Sequence, residues 1–153
     1  MYRAMELAEI AAANGDVPIG AVLVAGDLVL EAYNRKESEP DATAHAEMLL
    51  IREASARLGT WRLTDAIMYV TKEPCVMCAG AMIAARIKRL VYGAGDPKGG
   101  ADGGAFDILR SKRTNHRIEI DAGFLQAQTA AQLQAFFAGR RRGGEGGIEP
   151  EAP

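Results

Sequence analysis

Residues 66–92 read AIMYVTKEPCVMCAGAMIAARIKRLVY, and this stretch carries the clearest structural signal in the chain. Ala66 to Thr71 is an apolar run with β-branched residues, short enough for a buried strand. Pro74 suits the start of a helix, and Val76 to Ala85 is made almost wholly of small and apolar residues. Leu90 to Tyr92 then begins another strand. Strand, helix and strand in immediate succession point to a crossover in a layered α/β domain.

Outward from that unit, the same alternation continues. Met1 to Ala13 has helical spacing and ends at Asn14-Gly15. Val17 to Val24 and Leu28 to Tyr33 flank Ala25-Gly26-Asp27, which predicts an antiparallel hairpin. Residues 35–41 form a polar loop, and Thr43 to Leu58 reads as a helix closed by Gly59. Downstream, Asp96 to Gly104 is a Gly-rich loop, with a short helix expected near Ala105 to Leu109. Arg117 to Ile120 is a candidate fifth strand and Leu125 to Phe137 a closing helix. The expected organisation is one domain over residues 1–142, followed by an acidic Gly/Pro-rich tail at 143–153 whose composition cannot bury a core.

With 153 residues the chain suits a single domain; 48% of its residues are hydrophobic but only 6% aromatic, so the core must come from Ala, Val, Ile and Leu. No apolar run approaches the roughly 18 residues of a membrane span. The opening Met1-Tyr2-Arg3-Ala4-Met5-Glu6 breaks its apolar residues with charge, unlike a secretory signal, so the expected location is the cytoplasm. There the two cysteines, Cys75 and Cys78, read as a metal or redox pair in preference to a disulfide.

Net charge is −2, but it is unevenly divided. Residues 1–85 hold 7 Lys/Arg against 12 Asp/Glu, whereas residues 86–142 hold 11 against 5. The basic clusters are Arg86-Ile87-Lys88-Arg89, then Arg110 to Arg117, then Arg140-Arg141-Arg142. Such clustering suits phosphate contact over one region, with ordinary solvated faces as the alternative.

The chemistry resides in Thr43-Ala44-His45-Ala46-Glu47 and Glu73-Pro74-Cys75-Val76-Met77-Cys78. Cysteines three apart on a helix lie about 60° apart around its axis, so both sulfurs can grip one ion. A helix N-terminus favours their thiolate forms, and His45 completes a soft Cys₂His set that suits zinc. Residues two apart on a helix point about 200° away from each other, so His45 and Glu47 can converge only if His45 lies in a loosened first turn. Three protein donors leave zinc a position for water, whose pKa falls from about 16 to near 7, and Glu47 can then shuttle its proton. The alternative is a closed structural site with His116 as fourth ligand, which leaves the spacing of Glu47 without a purpose.

The order H-x-E…P-C-x-x-C resembles the known signature of the zinc-dependent nucleobase deaminases. Beyond that signature the chain resembles the bacterial tRNA-specific adenosine deaminases over almost its whole length to about residue 142. The resembling segments include Asp16 to Val22, Tyr33-Asn34-Arg35, Trp61-Arg62-Leu63, Glu73 to Ile83, Val91 to Ala94, Asp96-Pro97-Lys98, Asn115-His116-Arg117 and Phe136-Phe137. The resemblance implies a three-layer α/β/α cytidine-deaminase-like fold with a central mixed five-stranded sheet, and a homodimer. A helix of small residues, Ala79 to Ala85, would suit a close helix interface. It implies one zinc per subunit on His45, Cys75 and Cys78, Glu47 as the catalytic proton shuttle, and deamination of wobble adenosine in an anticodon stem-loop of tRNA, of arginine tRNA in particular. Asn34 would read the base, Ile19 pack on it, the amide of Ala46 (with that of Cys75) steady the reacting atoms, and Asp96 and Lys98 stand at the mouth of the site. Arg140, Arg141 and Arg142 are the expected RNA contacts, while Phe136 and Phe137 read more readily as core than as stacking platforms. The alternative is a deaminase of free cytosine, cytidine or guanine. Three features depart from the family pattern: Lys72 where Leu is usual, extra Gly and an Asp in residues 99–104, and the acidic tail.

Overall fold

In a computed structural model, which describes residues 1–143, the elements run α1 (Tyr2–Ala13), β1 (Gly20–Ala25), β2 (Leu28–Tyr33), α2 (Ala46–Leu58), β3 (Ile67–Lys72), α3 (Val76–Ala84), β4 (Arg89–Ala94), β5 (Glu119–Asp121) and α4 (Gln126–Gly143). The acidic tail lies outside the described residues, apart from Gly143 at the end of α4.

The sheet order is β2-β1-β3-β4-β5. The β1–β2 hairpin and the β1–β3 pair are antiparallel, and β3, β4 and β5 are parallel, which makes the expected mixed five-stranded sheet. β1 shows how the strand period builds two cores. Ala21 and Leu23 face the main core with Leu50, Met68, Val70, Met82 and Leu90, whereas Val22 and Val24 join Ala4 and Leu7 on the opposite face. Accordingly α2 and α3 cover one face and α1 and α4 the other, giving three layers. Gly20 permits the close seat of α1, because a Cβ there would lie 2.0 Å from the Ala4 carbonyl oxygen.

Two expected elements differ. The helix expected at Ala105 to Leu109 is absent: the amides of Ala105 and Phe106 bond the Gly100 carbonyl, and those of Ile108 and Leu109 bond the Ala101 carbonyl. Donors gathered on two fixed acceptors cannot climb a helical ladder. The closing helix runs beyond Phe137 to Gly143, and so carries the Arg triplet on its last turns. Phe136 and Phe137, expected as core, pack edge-to-face against each other at 5.4 Å instead, and Phe137 is exposed. Helix α4 covers β4 through Thr129 and then meets α1 through Gln132 and the Gly15 carbonyl through Arg140, so Phe136 is partly buried beside α1 while Phe137 faces an open cleft. Among the described residues no helix is long and apolar enough to cross a membrane.

Candidate active site

The crossover from β3 into α3 brings the two chemical segments together, with the N-terminus of α2 beside that of α3. Helix α2 begins at Ala46, later than the expected Thr43, and His45 is its N-cap residue with extended dihedrals of φ −74° and ψ 147°. That placement removes the 200° conflict, since His45 stands before the helix while Glu47 occupies its first turn. Cys75 is likewise the N-cap of α3, at φ −74° and ψ 173°, and neither residue makes a side-chain capping bond. Both are therefore free to face a common point.

They do. His45 Nδ1 lies 3.7 Å from Cys75 Sγ and 3.5 Å from Cys78 Sγ, and the three donor atoms all fall within 4.8 Å of one another. The hydrogen bond from Cys78, and that with His45, hold the Cys75 thiol far below its usual value, at about 3, against the cost of burial. The same bond, together with burial, pushes the Cys78 thiol up. Two sulfurs and an imidazole at two helix N-termini make a soft, anion-favouring donor set into which a metal ion fits. His116 is not part of it, because its Nε2 bonds the Ile87 carbonyl at 2.7 Å. The closed four-ligand alternative therefore lacks its fourth residue.

Around the donors stand groups with unspent bonding capacity. Glu47 is 4% exposed, burial pushes its carboxyl upward, and its Oε2 has no partner. An unpaired buried carboxylate oxygen is costly in a fold that does not use it. Asn34, directly after β2, is 4% exposed; its amide nitrogen donates to the Val17 carbonyl at 3.4 Å, and its Oδ1 is also unpartnered. Ile19 is half-buried against the main core, and its carbonyl accepts the Asn34 backbone amide. Ala46 heads α2, where the first amides have no intrahelical partner.

The Gly-rich loop and α4 border a separate feature, joined to the cysteine turn through the end of β3 and with none of the three donors or Glu47 in its lining. Here lies a cleft of about 750 Å³ whose lining includes Lys72, Asp96, Lys98, Phe137, Arg140 and Arg141. Lys72 ends β3 and forms an ion pair with Asp96; burial would raise the Asp96 carboxyl, but the Lys72 ammonium and the amides of Lys98 and Gly99 together hold it below the usual carboxylate range. Lys98 is exposed and donates its backbone amide to Asp96 Oδ1. Arg140 stacks on Phe136 at 4.7 Å and donates to the Gly15 carbonyl, so one of the three expected RNA contacts is already engaged within the chain. Arg141 is exposed.

Glu73 was given no role on sequence. It is 5% exposed, and its carboxylate accepts the amides of Asp96 at 2.7 Å, Asp102 at 2.8 Å and Gly104 at 3.1 Å. The signal for it was the pairing of an acid beside the Cys pair with a distant glycine cluster. Asp16 was missed as well. Fully buried, it accepts the amides of Glu37 and Ser38 and so ties the segment before β1 to the loop that leads to His45.

A family model described as MafB19-like deaminase matches residues 1–141. A tRNA-specific adenosine deaminase of Bacillus subtilis (strain 168) is 47% identical over 143 residues, covering 93% of this chain and 89% of the relative. This chain belongs to the tRNA-specific adenosine deaminase family. A relative of the same name from Haemophilus influenzae is 43% identical, covering 92% of this chain and 83% of its own length. Among solved structures, one from a study of A-to-I editing by wobble-position tRNA deaminases matches with a TM-score of 0.81 at 43% identity, covering 87% of this chain and 97% of the other. A guanine deaminase from Nitrosomonas europaea shares the fold at a TM-score of 0.74 but only 25% identity, covering 88% and 81%. Membership in this deaminase family makes the chain an enzyme, and accounts for a histidine, two cysteines and a glutamate converging at two helix ends.

Proposed function

We propose that this chain deaminates adenosine to inosine at the wobble position of a tRNA anticodon, arginine tRNA being the expected substrate, with zinc held by His45, Cys75 and Cys78. The observation that carries the reading is the three-donor cluster with buried Glu47 beside it, whose Oε2 has no partner among the described residues. The set is soft, has three protein donors and leaves a coordination position open, as catalytic zinc sites do. Bound there, zinc supplies Lewis acidity that lets a neighbouring water ionise near neutral pH.

The chain's own groups do the rest. Glu47 takes the proton of the attacking water, delivers it to the ring nitrogen beside C6, and carries a second to the departing ammonia. Burial raises the Glu47 carboxyl, which suits a group that must hold a proton as readily as release it. Asn34, whose Oδ1 has no partner in the fold, accepts a hydrogen bond from the purine edge, and Ile19 packs against the base. The first amides of α2, Ala46 among them, stabilise negative charge at the reacting atoms. Adenine C6 cannot be reached within a stack, so the base enters splayed from its loop. The cleft along Lys98, Arg140, Arg141 and Phe137 suits the flanking backbone and bases, with Arg142 on the same helix. A homodimer belongs to this reading: Gly80 and Ala84 are exposed on α3, where small side chains allow close approach of a second copy.

The decisive experiment incubates the zinc-loaded chain with an anticodon stem-loop bearing adenosine at the wobble position. Free adenosine, cytidine and guanine run in parallel, and products are read by mass. Inosine in the stem-loop with little change in the free compounds supports the proposal. Turnover of free guanine or cytidine alone overturns the substrate and leaves the site chemistry. Sedimentation at micromolar concentration tests the dimer, and a single-chain mass rejects it.

A further inference from the structure

Glu73 ends the turn that carries the metal-ligating cysteines, yet its side chain leaves that turn and enters the Gly-rich loop. Three backbone amides, from Asp96, Asp102 and Gly104, converge on its two oxygens. Its own amide bonds the Ala94 carbonyl at 2.7 Å, so both ends of the residue hold the same segment. Two glycines of the loop are explained by this carboxylate. A Cβ on Gly100 would lie 2.2 Å from the Glu73 carboxyl carbon, and one on Gly104 would lie 3.0 Å from its Oε1 and 2.1 Å from the Asp96 carbonyl oxygen. At those two positions the backbone lies on the carboxylate with no room for a side chain, so a segment that looks floppy by composition is held at three points.

Glu73 has no cation as ion-pair partner: Lys72, its neighbour, is turned to Asp96, and Arg110 is turned to Asp102. Charge-assisted bonds from amides therefore carry the whole cost of burying it. The amides it holds belong to residues on the recognition side. Asp96 lines the 750 Å³ cleft, and Asp102 bonds Tyr92 Oη at 2.9 Å and Arg110 by two nitrogens. The cysteine turn has bonds of its own to the loop, the Ala101 amide to the Pro74 carbonyl at 2.9 Å and a bridge between Cys75 and Gly100, and these do not use the Glu73 side chain.

We propose that Glu73 is a positioning residue that fixes the recognition wall, Asp96 to Gly104, against the cysteine turn and thereby sets substrate affinity without setting metal retention. This rests on the reading that Asp96 and Lys98 face the RNA.

The test uses full-length, zinc-loaded Glu73→Gln. The replacement keeps shape, but its NH₂ must face at least one backbone N–H. Expected are faster hydrogen exchange at the amides of Asp96, Asp102 and Gly104, and a KM for the stem-loop raised at least about tenfold with kcat within about threefold. Zinc per chain should stay at the wild-type value. Unchanged exchange at those amides overturns the proposal, and so does a fall in zinc content and kcat with KM unmoved. Gly104→Ala provides a second route that keeps Glu73 and displaces the loop away from Cys75; it should show the same KM-dominated defect, and wild-type KM in a folded Gly104→Ala protein also overturns the proposal. Because the exchange readout needs no substrate, a wrong substrate assignment and a wrong role for Glu73 give different results.

Discussion

The two walls of the site are built by opposite means. The donor wall is compact: His45, Cys75 and Cys78 stand at two helix ends within 4.8 Å, and each location follows from where a helix begins. The proposed recognition wall is a long loop and the last turns of α4, held by ion pairs, amide bonds and cation–π contact, with Lys98, Phe137 and Arg141 exposed. Chemistry that must place a proton within a fraction of an ångström is mounted on rigid elements. Contact with a polyanion tolerates looser mounting, because phosphate attraction acts over a Debye length of about 10 Å. The contrast predicts that lesions in the first wall destroy metal binding or turnover, and lesions in the second change affinity.

The largest effect is expected from Cys75→Ala, which should lose zinc together with all measurable turnover, and lower the melting temperature because metal-binding energy is also folding energy. Metal analysis and calorimetry check it, and a variant retaining stoichiometric zinc breaks the assignment of Cys75. Glu47→Ala comes next. It should keep its zinc and still lose about 10³-fold in kcat, since only the proton shuttle is gone. Near-wild-type turnover there would turn the site into a structural one. Substituting both Arg140 and Arg141 by Ala should raise KM for the stem-loop several-fold and flatten its dependence on salt by about two charges' worth, with any turnover of free base unchanged. A fall in kcat instead would mean that α4 reaches the chemistry.

The smallest effect concerns acid stability. Burial alone would raise Asp16, but the amides of Glu37 and Ser38 outweigh it and hold the carboxyl below its usual value. A carboxyl depressed by folding stabilises the fold above its ordinary pKa of about 3.9, and that contribution fades as pH falls through the lower, folded value. Urea midpoints of wild type and Asp16→Asn should therefore differ most near neutrality and converge under acid conditions. A gap that widens on acidification would contradict the bonding seen here.

Much of the donor wall was legible because its spacing is local. Pro74 at a helix start and cysteines three apart demand a shared target whatever the rest of the chain does. The difficulty over His45 and Glu47 was also visible, and the resolution, a helix starting at Ala46 with His45 as its cap, lay one turn from the expected place. Strand and helix order followed from periodicity, with boundaries shifted by a few residues. The failures were non-local. The expected helix after the Gly-rich loop lost its amides to the Gly100 and Ala101 carbonyls, and of the phenylalanine pair expected as core Phe136 is only partly buried and Phe137 is exposed.

By itself, the sequence determined the alternation of elements, the donor residues and the kind of metal they suit, since these depend on residue type and short spacing. Tertiary structure alone decided that Glu73 grips a loop more than twenty residues away, that Asp16 ties two loops, that Lys72 meets Asp96 and that His116 is spent on Ile87. The physical reason is one of range. Helical and strand periodicity act between near neighbours, whereas the partner of a buried carboxylate is chosen by which backbone amides the completed fold leaves unpaired beside it.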